Sequence, residues 1–172
     1  MERRWEAGAG RHAERRHLRL NFLDKWEARL DLSSDQRTLV LAGAILFLLG
    51  LLEGAVLQSF PNPRMALSAH LTAVQSATSM MLAGLLWTAT HLREKFSAIG
   101  KWGIVIGMFA LWIGLTGAAM TGASSILPIA GAGHQAGPIA EMFVAVAVFS
   151  GSFILTVGWS IFVWGLLRAR RA

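Results

Sequence analysis

The sequence predicts an all-α protein: four transmembrane helices packed as a bundle, with both termini cytoplasmic. Three observations predict it. Of 172 residues, 54% are hydrophobic and only 15% charged, against the roughly 25% charged residues of an ordinary soluble domain. The charges are also crowded, since seven of the ten acidic and nine of the sixteen basic residues precede Thr38. The rest of the chain is too bare to cover a soluble globule on every side. Finally, the apolar residues fall into four runs of membrane-spanning length. The same composition excludes intrinsic disorder. The absence of cysteine excludes a disulfide scaffold, and tyrosine is absent too, beside seven Trp and nine Phe.

Residues 1–37 read as a basic N-terminal arm, and 38–172 as the membrane domain. The arm contains acids (Glu2, Glu6, Glu14) and no short apolar core with a small-residue cleavage site, so no secretory signal is expected. Leu18–Leu32 reads as a helix with Leu20, Leu23, Trp26 and Leu30 among charges. It suits either a segment lying on the inner leaflet or a solvated juxtamembrane helix.

The first span runs from Leu39 to about Leu57, broken only by Glu53, and the second from about Met65 to Leu92. The third runs from Trp102 to about Thr121, and the fourth from about Ile139 to Leu167. Each reaches the ~20 apolar residues that cross a 30 Å hydrocarbon core. Backbone amides in lipid must bond internally, which makes these segments helices. Fifteen of the sixteen basic residues fall on one side of this arrangement, Arg64 being the exception. The positive-inside rule makes that side cytoplasmic, and the expected location is the cell inner (cytoplasmic) membrane. The pI of 11.3 then reflects topology, and no nucleic-acid partner is needed to explain it.

Gly103, Gly107, Gly114 and Gly117 form a stripe on the third span, and Ala69, Ala73 and Ala77 a comparable one on the second. Such stripes let helices approach closely, and they equally admit a flat cofactor. Ser124–Pro138 is a Gly-, Ala- and Pro-rich connection, long for a bundle, and is read as functional or mobile. Gly131-Ala132-Gly133 is no nucleotide loop, because no strand precedes it.

The ionisable residues at membrane depth are Glu53, His70, His91, His134 and Glu141. On this topology, all but His91 converge on the outer half. Such groups usually face a bundle interior or a water-filled cavity. A buried Glu53 should be protonated or paired, and His70 is its candidate partner. His70 itself reads as an interfacial histidine or as a ligand, and Glu141 as an N-terminal helix acid favoured by the dipole.

Asn62-Pro63-Arg64-Met65-Ala66-Leu67-Ser68-Ala69-His70-Leu71 resembles the signature of hydroxylaminobenzene mutases, small four-span membrane isomerases. Leu127-Pro128-Ile129-Ala130-Gly131-Ala132-Gly133-His134, with Gly137-Pro138 and Glu141, is a second match. The likeness extends more weakly to styrene oxide isomerase and covers residues from about 39 to 167. It implies a haem b-dependent isomerase, which composition could not show, and a homo-oligomer, a trimer in the relative. By position His70 would be the iron ligand, with Ala73 and Ala77 as small neighbours of the cofactor. Ferric iron would act as a Lewis acid on the oxygen of a small apolar aromatic epoxide or arylhydroxylamine, with no net redox change.

The chain departs from the pattern where the substrate should be held. Ser76 stands where the family has an asparagine six residues after the histidine, and Phe109-Ala110-Leu111-Trp112 replaces a Tyr-Ala-Asn-Trp-like segment. Substrate-positioning bonds must then come from Gln75, Ser76, Thr116, Thr121, Glu53 or the loop. The alternative is a non-enzymatic haem- or lipophile-binding membrane protein. An accessory subunit of a larger complex is a third reading, motivated by the charged arm.

Overall fold

A computed structural model describes residues 32–169. The amphipathic segment expected within the arm lies almost wholly outside them. The chain divides between Ser33 and Ser34. The unit beginning at Ser34 contains four α-helices: α1 (Ser34–Ala55), α2 (Pro63–Leu86), α3 (Glu94–Thr121) and α4 (Pro138–Ala169). Short 3-10 turns follow α1 at Leu57–Ser59 and α2 at Trp87–Thr90. There is no strand among the described residues.

Local chemistry explains the helix ends. Asn62 caps α2 by accepting from the Met65 amide at 3.1 Å, and Pro63 occupies the first turn, where its missing N–H costs nothing. Gly122 ends α3 in the left-handed conformation at φ 79°, its amide bonded to Ala118 O. His91 also turns left-handed (φ 46°) and redirects the chain from α2 into α3.

Consecutive helices pack on one another, so α2 lies between α1 and α3, and α3 between α2 and α4. The buried positions of α1 are Gln36, Leu39, Gly43, Leu46, Gly50 and Glu53, alternating by three and four. That is the seam of a left-handed helix pair. On α4, Val144, Gly151, Gly158 and Gly165 are buried at seven-residue intervals. Small residues permit this closeness. A Cβ on Gly158 would lie 2.7 Å from Ile104 N, and one on Gly107 2.7 Å from Leu155 N. The glycine stripe of α3 is therefore filled by α4.

Three helices, α1, α3 and α4, are long and apolar enough to cross a membrane. The expectation of four such spans is met in three. The second helix, α2, interrupts its apolar residues with Ser68, His70, Thr72, Gln75, Ser76, Thr78 and Ser79. Ser68 and Thr78 turn their hydroxyls back onto the helix itself, donating to Arg64 O at 3.3 Å and Val74 O at 2.9 Å.

One end of the unit gathers polar contacts among the start of α1, the turn after α2 and the start of α3. Lys101 pairs with Asp35 at 2.6 Å, Ser97 donates to Asp35 at 2.5 Å, and Trp87 Nε1 donates to Ser97 at 2.8 Å. Gln36 reaches Leu85 O at 3.2 Å. At the opposite end Asn62 ties three segments together. Its amide donates to Ala119 O at 3.2 Å, and its side chain donates to Ala130 O at 3.1 Å.

Candidate functional site

His70 lies on α2 where α1 presents Gly50 and Gly54. With no side chains there, the imidazole rests on the α1 backbone, and Nδ1 is 2.7 Å from Gly50 O. A carbonyl only accepts, so Nδ1 carries a proton, and in the neutral ring the lone pair lies on Nε2. Among the described residues no buried side-chain nitrogen or oxygen lacks a partner. Nε2 has no bond of its own and is therefore accessible at the half-buried face of His70. The exposed apolar neighbours on that helix are Leu67 and Leu71.

Glu53 is only 6% exposed. The expected pairing of Glu53 with His70 is not what forms. Its carboxylate turns to α3 instead, accepting from Trp112 Nε1 at 2.8 Å and Thr116 Oγ1 at 2.9 Å. The reason is the α1 register: Gly50 and Gly54 face α2, while Glu53 falls on the flank that meets α3. Both oxygens are engaged, so Glu53 locks α1 to α3 and orients the Trp112 indole. Phe109 packs edge-on against that indole, with ring centroids 6.4 Å apart.

Glu53, His70, His134 and Glu141, expected to converge on the outer half, do not form one cluster. His134 Nε2 lies 3.2 Å from Pro61 O. Glu141 accepts from the Ser124 amide at 3.0 Å, the Ser125 amide at 3.1 Å and the Ser125 hydroxyl. These two residues fasten the connection between α3 and α4, while Glu53 and His70 sit on the α1 side.

The remaining sequence candidates are scattered over α2 and α3. Gln75 is exposed and Ser76 half-buried. Ala73 and Ala77 are fully buried in the contact with α1, where Cβ atoms on Gly50 and Gly43 would lie 2.7 Å from Ala73 Cβ and 2.9 Å from Ala77 O. Thr121 spends its hydroxyl on Gly117 O at 2.7 Å. Sequence reasoning missed Gly50 and Gly54, the seat of the imidazole. Their signal was a small-xxx-small pair flanking Glu53.

His70 offers a single imidazole nitrogen, Nε2, that is free to act as a ligand. Among the described residues no three His, Cys, Asp or Glu side chains group as metal ligands. A haem needs only one axial imidazole from the protein, and an Nδ1–H held by a backbone carbonyl is the usual support of a ligating histidine.

The sequence profile of the styrene oxide isomerase family matches residues 35–167. The chain belongs to this family. It is 34% identical over 134 residues to hydroxylaminobenzene mutase HabA of Ectopseudomonas oleovorans, covering 77% of this chain and 99% of that one. Hydroxylaminobenzene mutase HabB of the same organism matches at the same identity and length, with 82% of it covered. Both names, like that of the family, denote isomerases. No solved structure matches the chain.

Proposed function

We propose that this chain is a multi-pass membrane isomerase that binds haem b through His70 and rearranges a small apolar aromatic epoxide or arylhydroxylamine. The observation that carries the reading is the His70 imidazole, with Nδ1 fixed on Gly50 O at 2.7 Å and Nε2 accessible. When bound, the haem supplies a Lewis-acidic iron for an oxygen of the substrate. The chain does the rest. Gly50 fixes the tautomer and orientation of the ring, and Gly54 leaves room for it. Glu53 holds Trp112 and Thr116 in place, and Gln75 and Ser76 offer polar groups beyond His70 on α2. An isomerisation moves a group within one molecule, so no reductant or oxidant is consumed.

In this reading α2 is the fourth span, shielded by α1 and α3, and the end bearing Arg93, Lys95, Lys101 and Arg168 faces the cytoplasm. The membrane is the inner, cytoplasmic one. A homo-oligomer, the trimer that the resemblance to styrene oxide isomerase implies, would cover the accessible side of His70.

The test is an absorbance spectrum of the detergent-solubilised protein, together with product analysis using styrene oxide and phenylhydroxylamine. A Soret band that disappears in His70→Ala, with aldehyde or aminophenol formed in proportion to wild-type protein, is expected. A colourless protein that refuses added haemin would overturn the haem assignment.

A second reading, a haem- or lipophile-binding protein without turnover, is favoured by Ser76, Phe109 and Leu111 standing where polar groups are expected. It requires the Soret band without either product.

A further inference from the structure

We propose that the Arg93–Arg168 end of the unit binds an anionic phospholipid, its phosphodiester in a basic cavity and an acyl chain in the adjoining groove of α4. This rests on the membrane reading but not on haem or on turnover.

The cavity, about 520 Å³, is lined by Thr90, His91, Leu92, Arg93, Trp164 and Arg168. Two features of the chain create it. The left-handed His91 swings the chain back toward α4, and Gly165 lets that turn settle. A Cβ on Gly165 would lie 2.8 Å from Thr90 Cβ and 3.1 Å from Leu92 Cδ2. The turn thus sits against the last part of α4, and Arg93 and Arg168 border the same hollow.

Among the described residues no carboxylate lines the cavity, and the ion pair Lys101–Asp35 lies elsewhere. Arg168 is steadied instead by the Trp164 ring, 5.3 Å from its centroid, while Phe96 meets that ring edge-on at 5.7 Å. Two arginines presenting planar donor forks suit a phosphate oxygen pair.

The same Trp164 also borders a second hollow, a groove of about 630 Å³ along α4 that includes Leu155, Trp159, Val163 and Leu167. Its two hydroxyls are turned inward on the helix. Thr156 Oγ1 donates to Ser152 O, and Ser160 Oγ to Thr156 O, each at 2.7 Å. The groove is therefore apolar in effect. A basic cavity joined to an apolar groove at a tryptophan matches an amphiphile with an anionic head. A free phosphate would leave the groove unused, and a zwitterionic lipid would bring its own cation to the arginines.

Native mass spectrometry of the full-length protein in detergent, titrated with dioleoyl phosphatidylglycerol or dioleoyl phosphatidylcholine, tests the assignment. Selective retention of phosphatidylglycerol is expected. The double variant Arg93→Gln/Arg168→Gln should lose it by about tenfold or more, and Ser160→Trp, which fills the groove, should also weaken it. Lys95→Gln, at the same end but outside the cavity lining, should leave retention unchanged. Equal retention of both lipids, wild-type retention by the double variant, or displacement by millimolar inorganic phosphate would each overturn the proposal. A chain recovered in buffer without detergent would instead overturn the membrane reading beneath it.

Discussion

Gly54→Ala should loosen the His70 imidazole without disturbing the bundle. The added Cβ would lie 2.7 Å from both Cε1 and Nδ1 of His70 and 3.4 Å from its Cγ. Its three nearest atoms all belong to that one ring, so the ring moves and the backbone stays. Non-bonded carbon contacts become comfortable at about 3.5 Å, which requires the ring to withdraw by ~0.8 Å. A shift of that size, directed away from α1, carries Nδ1 from its 2.7 Å contact with Gly50 O beyond the ~3.2 Å limit of a good N–H···O bond. The lost hydrogen bond is worth about 1 kcal/mol. Loss of such a support typically costs a metal site ten- to a hundredfold in affinity or activity.

The assay is a haemin titration of the solubilised protein monitored at the Soret band, with unfolding temperature and product formation measured on the same samples. Gly137→Ala is the control, since a Cβ there meets nothing within 4 Å. On the haem reading proposed above, affinity should fall at least tenfold in Gly54→Ala and stay constant in the control. Affinity within twofold of wild type, with an unshifted Soret band, would refute the claim that Gly54 and Gly50 seat the ligand.

Three further substitutions probe the frame around the site. Gly158→Ala places a methyl 2.7 Å from Ile104 N and 2.9 Å from Gly103 C. Backbone atoms cannot rotate aside, so thermal unfolding in detergent should show a loss of about 1–3 kcal/mol. Glu53→Leu strands the donors of Trp112 and Thr116, at about 1–3 kcal/mol for each donor left buried, whereas Glu53→Gln keeps one acceptor. Equal unfolding temperatures for the two variants would contradict that account. Asn62→Ala removes the α2 cap, worth about 0.5–2 kcal/mol, and the bond to Ala130 O. Limited proteolysis should then cut the connection between α3 and α4 faster than in wild type.

Much of the helical frame could be read from spacing. The first apolar run, from Leu39 to about Leu57, became α1 with the five residues from Ser34 to Thr38 added at its start and its end drawn back to Ala55. The fourth became α4 almost residue for residue. In the seven-residue recurrence on α4, Gly151 and Gly158 mark the face against α3, and Gly165 continues it against the turn after α2. The second run was harder. Its α-helical part stops at Leu86, and Trp87–Thr90 tightens into a 3-10 turn before His91 reverses the chain. No local signal marks that reversal, because a left-handed histidine is tolerated only where surrounding contacts hold it.

The candidate site divides in the same way. His70, Glu53 and Thr116 were each identifiable as polar residues at apolar positions, since burying such groups demands a reason. Which of them would meet was not identifiable. A turn of 100° per residue separates the faces of Gly50, Glu53 and Gly54 on α1, and only the packing of α2 and α3 around that helix says which neighbour each face receives.

By itself, then, the sequence determined an all-helical chain, the limits of its apolar runs, the crowding of charge before Thr38 and the motif around His70. These follow from local periodicity and composition. Tertiary structure alone decided that Glu53 bonds Trp112 and Thr116, that His70 leans on the Gly50 carbonyl, and that Arg93 and Arg168 border one cavity. Those partners lie 20 to 75 residues apart along the chain, and what brings them together is close helix packing through glycine, which has no directional signal of its own in the sequence.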